Sequence, residues 1–285
     1  MKAKYLFAFI LLTAVIIGCS SSFVERNRPG KILQEGDWIP YHTKHFDFFY
    51  RPASRSSERI QIIASRQENN YLEILNRLHL LDHNFRAIFF IFSSFEEYDR
   101  ITDAGQYGNG HEIGIYDAIY GVDDYSLSNV MGKHELTHFI VDKYFGLGIR
   151  GPFKWITSEG IAVWIEDHWD GMDLYDFARQ RLSEGSISTP YSIITNDEPE
   201  KILKNSYPMA GAFAKYMIET YGVAKFVKLY QQAAVLESFE QIYGTSLIAV
   251  NNKFLEFLLD KSADIRKDGN NFSRGAGKLL LFQHP

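Results

Sequence analysis

The spacing of apolar residues differs between the first and second halves of the chain. Up to about residue 122, short runs rich in aromatic and β-branched residues predict strands over residues 45–50 and 86–92, and a further strand or hairpin over 111–120. Apolar residues three and four positions apart predict a long helix over residues 56–80. Ser94 and Glu97 have the spacing of a capping box, which predicts a short helix over 93–101.

Helical spacing dominates after residue 122. Ser126 or Ser128 is predicted to cap a helix that runs to about Phe145, and Pro152 is predicted to begin the next one. That helix covers roughly 154–168. The remaining predicted elements are helices over 170–184, 207–221, 222–234 and 250–260, and a loop over 185–199. Because strands precede helices instead of alternating with them, we expect an α+β fold: a small N-terminal mixed or antiparallel sheet, then a helical C-terminal half.

The composition excludes several classes of protein. The chain has 285 residues, of which 46% are hydrophobic and 23% charged, so it is not a disordered polypeptide. Its net charge of −5 provides no general attraction to nucleic acid, and we expect no nucleic-acid partner. A single cysteine excludes an intramolecular disulfide and any metal site built from several cysteines.

Residues 1–18 have the pattern of a secretory signal peptide. Lys2 and Lys4 make a basic start, and the apolar run that follows is shorter than the roughly 18–20 residues of a membrane-spanning helix. Residues 16–19 resemble the bacterial lipobox, which implies that the thiol of Cys19 is lipidated and that the mature chain begins there. An ordinary signal peptide followed by an unrelated cysteine is the alternative.

The signal sequence sets the expected location and organisation. Without its two lysines the net charge becomes −7, and the lipid would attach the chain to a membrane of the bacterial cell envelope, at the outer membrane or cell surface. The predicted segments are a signal peptide over 1–18, a flexible tether over 19–40, one domain over 41–260 and a loose polar tail over 261–285.

Residues 134–138 read His-Glu-Leu-Thr-His and lie in the middle of a predicted helix. Residues four apart share a helix face, so His134 and His138 can bind one zinc ion. Glu135 lies beside them, where it can reach a metal-bound water but is poorly placed as a ligand. A surface helix with two solvated histidines would show the same pattern.

A catalytic zinc site needs a third protein ligand, and Glu159 could provide it. Glu159 follows His138 by 21 residues, on the next predicted helix. The neighbouring Gly160 and Ala162 are small, so the two helices can approach closely. A glycine inside a helix costs about 1 kcal/mol relative to alanine, which indicates a packing reason for it.

Two motifs together resemble a known family. The HExxH motif followed by Trp155-x-x-Glu159-Gly160-x-Ala162 resembles the gluzincin metallopeptidases of the peptidase MA clan, and in particular the peptidase MA-like domains. The stretch from Tyr207 to Gly222 also resembles that group, which has a helix that begins at a tyrosine and ends at Tyr-Gly. The resemblance covers roughly residues 86–235.

The resemblance implies a zincin-like fold and a role for each motif residue. His134 and His138 would bind zinc through ring nitrogens, and Glu159 would bind it through a carboxylate. Glu135 would be the general base that deprotonates the zinc-bound water and then passes a proton to the leaving amine. The substrate would be a peptide or a protein.

Four further residues are weaker candidates. Tyr207, at the start of its predicted helix, could stabilise the oxyanion or be a core tyrosine. The strand over 111–119 would be the edge strand that binds substrate backbone, and His111 and Glu112 could contact substrate or be solvated. Asp142, one turn after the second histidine, could orient that histidine or be an exposed charge.

The sequence therefore predicts a lipid-anchored zinc metallopeptidase that works outside the cytoplasm. The alternative is a non-catalytic surface or periplasmic lipoprotein that uses the zincin-like scaffold to bind peptide or glycan. The chain carries no dimerisation motif that would set its oligomeric state.

Overall fold

The computed structural model describes residues 22–104, 110–125, 129–146, 152–195, 199–232 and 235–260. The chain divides into two compact units, residues 1–150 and 151–285. The first contains a mixed sheet and the second is mainly helical, which confirms the prediction of an α+β fold with a helical C-terminal half. The predicted signal peptide, Cys19 and the predicted tail over 261–285 lie outside the described residues.

The first unit has a five-stranded mixed sheet in the order β1-β2-β3-β5-β4. The strands are β1 (Ile39–His42), β2 (Phe46–Tyr50), β3 (Ala87–Phe92), β4 (His111–Ile113) and β5 (Ala118–Val122). The three central strands are parallel, and β1 and β4 pair antiparallel at the two edges. A strand buried on both faces shows a continuous apolar run, which is why β3 could be predicted, whereas β2 was predicted from an aromatic run that only Asp47 interrupts. The segment over 111–120, predicted as a strand or a hairpin, is a hairpin: β4 and β5 pair antiparallel and a 3-10 turn, Gly114–Tyr116, lies between them.

Within the described part of this unit, five helices accompany the sheet. They are α1 (residues 22–26), α2 (Pro29–Ile32), α3 (Arg55–Arg77), α4 (Phe95–Thr102) and α5 (His134–Phe145). The hydroxyl of Ser94 accepts a hydrogen bond from the Glu97 amide at 3.2 Å, so the predicted cap of α4 is confirmed. Gly146 ends α5 with a φ of +85°, a conformation that suits glycine.

The prediction of a flexible tether is wrong for residues 22–40, which fold against the sheet. The buried Asn27 donates to the carbonyl of Thr102 at 2.9 Å. Trp38 packs edge-on against Phe90, with 5.3 Å between ring centroids. The few apolar residues of this segment are too far apart to form a helical or strand pattern, so only their tertiary contacts show that the segment is ordered.

The second unit consists of helices and one short hairpin. Its elements are α6 (Pro152–Glu166), β6 (His168–Trp169), β7 (Met172–Asp173), α7 (Leu174–Ser183), α8 (Pro190–Thr195), α9 (Pro199–Tyr221), α10 (Val223–Tyr230), α11 (Val235–Tyr243) and α12 (Leu247–Leu259). The predicted loop over 185–199 contains α8. Helix α9 begins at Pro199 instead of Tyr207, and Pro208 lies inside it, although proline favours the first turn of a helix. None of the helices in the described ranges is both long and apolar enough to cross a membrane.

Two glycines allow α6 and α9 to pack closely. A Cβ atom on Gly160 would lie 2.8 Å from the carbonyl oxygen of Ala210, and one on Gly211 would lie 2.3 Å from Cγ1 of Val163. The sequence indicated a packing reason for Gly160, and the structure shows that its close neighbour is α9. This contact fixes the helix that carries Glu159.

Gly160→Ala is expected to lower the free energy of unfolding. Overpacking costs about 1–3 kcal/mol and opposes a gain in helix propensity of about 1 kcal/mol, so we expect a net loss of about 1 kcal/mol. Gly30→Ala is the matched control, since a Cβ at this helical glycine would meet no atom within 4 Å. Urea denaturation measures both. Equal stability of Gly160→Ala and wild type would show that the close approach is not required.

Candidate metal centre

Helix α5 begins at His134, so the HExxH motif forms its first turns. The prediction that the motif lies in mid-helix is wrong, because residues 129–133 form a turn and bend before α5. Val130 and Met131 have the spacing of a helix that would begin before His134. The structure places both in the turn, where Val130 is buried. The predicted caps Ser126 and Ser128 lie outside the described residues.

The two histidines of the motif face the same point. Nε2 of His134 and Nε2 of His138 are 3.3 Å apart, and the ring centroids are 4.9 Å apart with the planes at 77°. Both side chains are half-buried. One turn of helix therefore places two imidazole nitrogens where one ion could contact both, as the spacing predicts.

Glu159 completes a set of three possible ligands. It lies on α6 and is half-buried. One ligand atom from each of His134, His138 and Glu159 lies within 4.8 Å of the other two. Among the described residues, this is the group of histidine, cysteine and acidic side chains that could hold a metal ion. Two imidazole nitrogens and one carboxylate oxygen are donors that zinc accepts.

Glu135 lies in the first turn of α5 and is half-buried. Its negative charge acts on Tyr98, a buried residue of α4. Burial is the main reason why the pKa of Tyr98 lies far above its usual range, and the charge of Glu135 adds to the rise. Tyr98 therefore keeps its hydroxyl proton, and this hydroxyl is 2.8 Å from Nδ1 of His111.

Strand β4 is an edge of the sheet, as predicted, because it pairs with β5 alone in the strand order. His111 on this strand is not a simple solvated residue. Its ring stacks on Tyr120, with 4.4 Å between centroids and 4° between planes, and it bonds Tyr98. Aromatic packing thus orients His111. Its neighbour Glu112 is also half-buried.

The remaining candidates differ in how the structure places them. Tyr207 is half-buried inside α9 and stacks on Trp169 with 6.0 Å between ring centroids, so its predicted place at a helix start is wrong. Asp142 is half-buried on α5, one turn after His138, and its orienting role stays a prediction. The side chain of Trp155 lies outside the described residues.

Sequence reasoning missed two residues that contact the turn before His134. Gln67 and Asn70 are each only 1% exposed on α3, and their amide groups donate to main-chain carbonyls of residues 130–132. The sequence does mark these two residues, because they lie at helical spacing on the same apolar face as Ile63 and Ile74. A polar side chain on a buried face usually has a specific hydrogen-bond partner.

No protein-family model matches the chain, and comparison with curated proteins finds no match. A function must therefore be assigned from the residues of this chain.

Proposed function

We propose that the chain is a zinc-dependent metallopeptidase of the gluzincin type that hydrolyses peptide bonds in peptides or proteins. The observation that carries the proposal is the convergence of His134, His138 and Glu159, with Glu135 next to the first histidine. A zincin-like arrangement around this group, and a lipid anchor at Cys19 that holds the enzyme outside the cytoplasm, belong to the same proposal.

The donor set supports zinc in a catalytic role. Structural zinc sites in proteins have four protein ligands, whereas catalytic sites keep three and leave a position open for water or substrate. This group offers three, and all three side chains are half-buried, so solvent can reach them. Zinc, when bound, supplies a Lewis acid that polarises a carbonyl group and lowers the pKa of water to about 7.

The protein's own contribution is to hold and move a proton. The carboxylate of Glu135 would take a proton from the attacking water and return it to the leaving amine. Its position in the first turn of α5 keeps it close to the ligand His134. Burial raises the pKa of Tyr98, so this residue keeps its proton and does not compete as a base.

Strand β4 supports a peptide substrate. An edge strand has backbone N–H and C=O groups on its open side, which can pair with an extended peptide. The ring of His111 contacts Tyr98 and Tyr120, so the side chain of this residue is oriented where the strand pairs with β5.

Metal analysis tests the proposal directly. The chain produced from residue 19, with Cys19→Ser to prevent lipidation, is expected to contain about one zinc ion per molecule, as three ligands and an open position imply. It should cleave casein or a peptide library, lose activity with 1,10-phenanthroline and regain it with added zinc. Absence of zinc from the purified protein would contradict both the metal and the activity. Zinc without cleavage of broad libraries would favour the peptide- or glycan-binding lipoprotein.

A further inference from the structure

Two buried amide side chains on α3 hold the turn that leads into α5. Nε2 of Gln67 donates to the carbonyl oxygens of Val130 at 2.6 Å and Gly132 at 3.0 Å. Nδ2 of Asn70 donates to the carbonyl oxygens of Met131 at 3.1 Å and Gly132 at 3.3 Å. Three successive carbonyls therefore receive donors from one helix, about sixty positions earlier in the chain.

The same turn is held from the sheet side by Asn129. Its backbone amide donates to the carbonyl of Val122 at 3.1 Å, and its side-chain oxygen accepts from the Val122 amide at 2.8 Å. A Cβ on Gly121 would lie 3.0 Å from that side-chain oxygen, so the fit is close. Residues 129–132 are thus fixed between α3 and β5, immediately before the first histidine.

The contacts continue to the first residues of the motif. Nζ of Lys133 is 2.6 Å from Oε1 of Glu73, one helical turn beyond Asn70 on α3. The hydroxyl of Thr137 donates to the carbonyl of Lys133 at 2.8 Å. Lys133 precedes α5 and provides no side-chain cap. Side-chain contacts from Glu73 and Thr137 hold this residue instead.

We propose that Gln67 and Asn70 are positioning residues of the metal centre: they fix the turn before α5 and thereby the direction of the His134 ring. The inference rests on the proposed zinc site. Burying an amide costs free energy unless its polar atoms are paired. If these two positions served only for packing, apolar side chains would fill them without that cost. The donors are required because they select one conformation of the turn.

The test compares buried with exposed amides on the same helix. Gln67→Met keeps the size of the side chain and removes the donor, and its matched control is Gln61→Met at an exposed position. Asn70→Ala is compared with Asn69→Ala, its exposed neighbour. Phe46→Leu, which alters a buried ring packed on Phe48 and Tyr71, controls for a general loss of stability.

There are three readouts. Chelator competition measures zinc affinity, the visible spectrum of the cobalt-substituted protein reports the metal environment, and hydrogen exchange is followed at the amides of residues 134–138. Loss of a residue that hydrogen-bonds a metal ligand weakens metal binding by about 10–100-fold. Gln67 and Asn70 act on His134 only through the turn, so for Gln67→Met and Asn70→Ala we expect the lower end of that range, a loss of about 10-fold. The cobalt spectrum should change and exchange at 134–138 should accelerate. The three controls should keep the wild-type affinity and spectrum.

The possible results separate the two proposals. Wild-type affinity, spectrum and exchange in Gln67→Met and Asn70→Ala would overturn the positioning role and leave the zinc site intact. The same loss of affinity in Phe46→Leu would also overturn it, since any destabilisation would then suffice. If wild type binds no zinc, the proposed function fails. The positioning role can still be tested in that case, because unchanged exchange at 134–138 in Gln67→Met would contradict it.

Discussion

Glu135→Gln is expected to lower kcat for peptide hydrolysis by about 10²–10⁴-fold, the usual contribution of a general base, while zinc remains bound. Glutamine has nearly the same shape as glutamate but cannot accept the proton of the attacking water. The three ligands are unchanged, so zinc content should equal that of wild type. Both quantities can be measured on one preparation, with kcat from a fluorogenic peptide and metal by mass spectrometry.

Glu58→Gln is a suitable control for this variant. Glu58 is an exposed acidic residue in the first turn of α3, as Glu135 is an acidic residue in the first turn of α5. The control should keep full activity. Loss of zinc from Glu135→Gln would indicate that Glu135 is a ligand, and undiminished kcat would exclude it as the base.

His138→Ala is expected to abolish zinc binding at micromolar metal and activity with it. Loss of a residue that hydrogen-bonds a metal ligand weakens metal binding by about 10–100-fold. Loss of a ligand itself should weaken it further, because only two protein ligands remain. Isothermal titration with zinc measures the loss. His168→Ala, at an exposed histidine of β6, should bind zinc as wild type does. If His138→Ala retains zinc and hydrolysis, the ligand set is wrong.

The elements that could be predicted from the sequence are those whose pattern lies within one segment. Strand β2 has an aromatic run that only Asp47 interrupts, and β3 has a continuous apolar run. The helical spacing of α3 and the capping serine of α4 are equally local. The approach of His134 and His138 is local too, because four residues make about one helical turn. Glu159 was predicted from the need for a third ligand and from its place on the next predicted helix beside the small Gly160, and the resemblance then implied its role.

The errors concern structure that depends on distant residues. The turn before α5 is contacted by side chains such as that of Gln67, which lies 63 positions before its partner Val130. The spacing of Val130 and Met131 alone suggested too long a helix. The ring of His111 is oriented by Tyr98 and Tyr120, which lie on other elements. Local propensity is a weak guide wherever tertiary contacts decide the backbone.

The folded N-terminal segment limits how far the chain can be shortened for expression. A recombinant fragment that begins at residue 41, where the sequence places the start of the domain, loses the first half of β1 and exposes the edge of β2. It also loses Trp38 and uncovers the face of Phe90. An open strand edge beside bare aromatic rings favours aggregation, so soluble protein should require a start no later than residue 22.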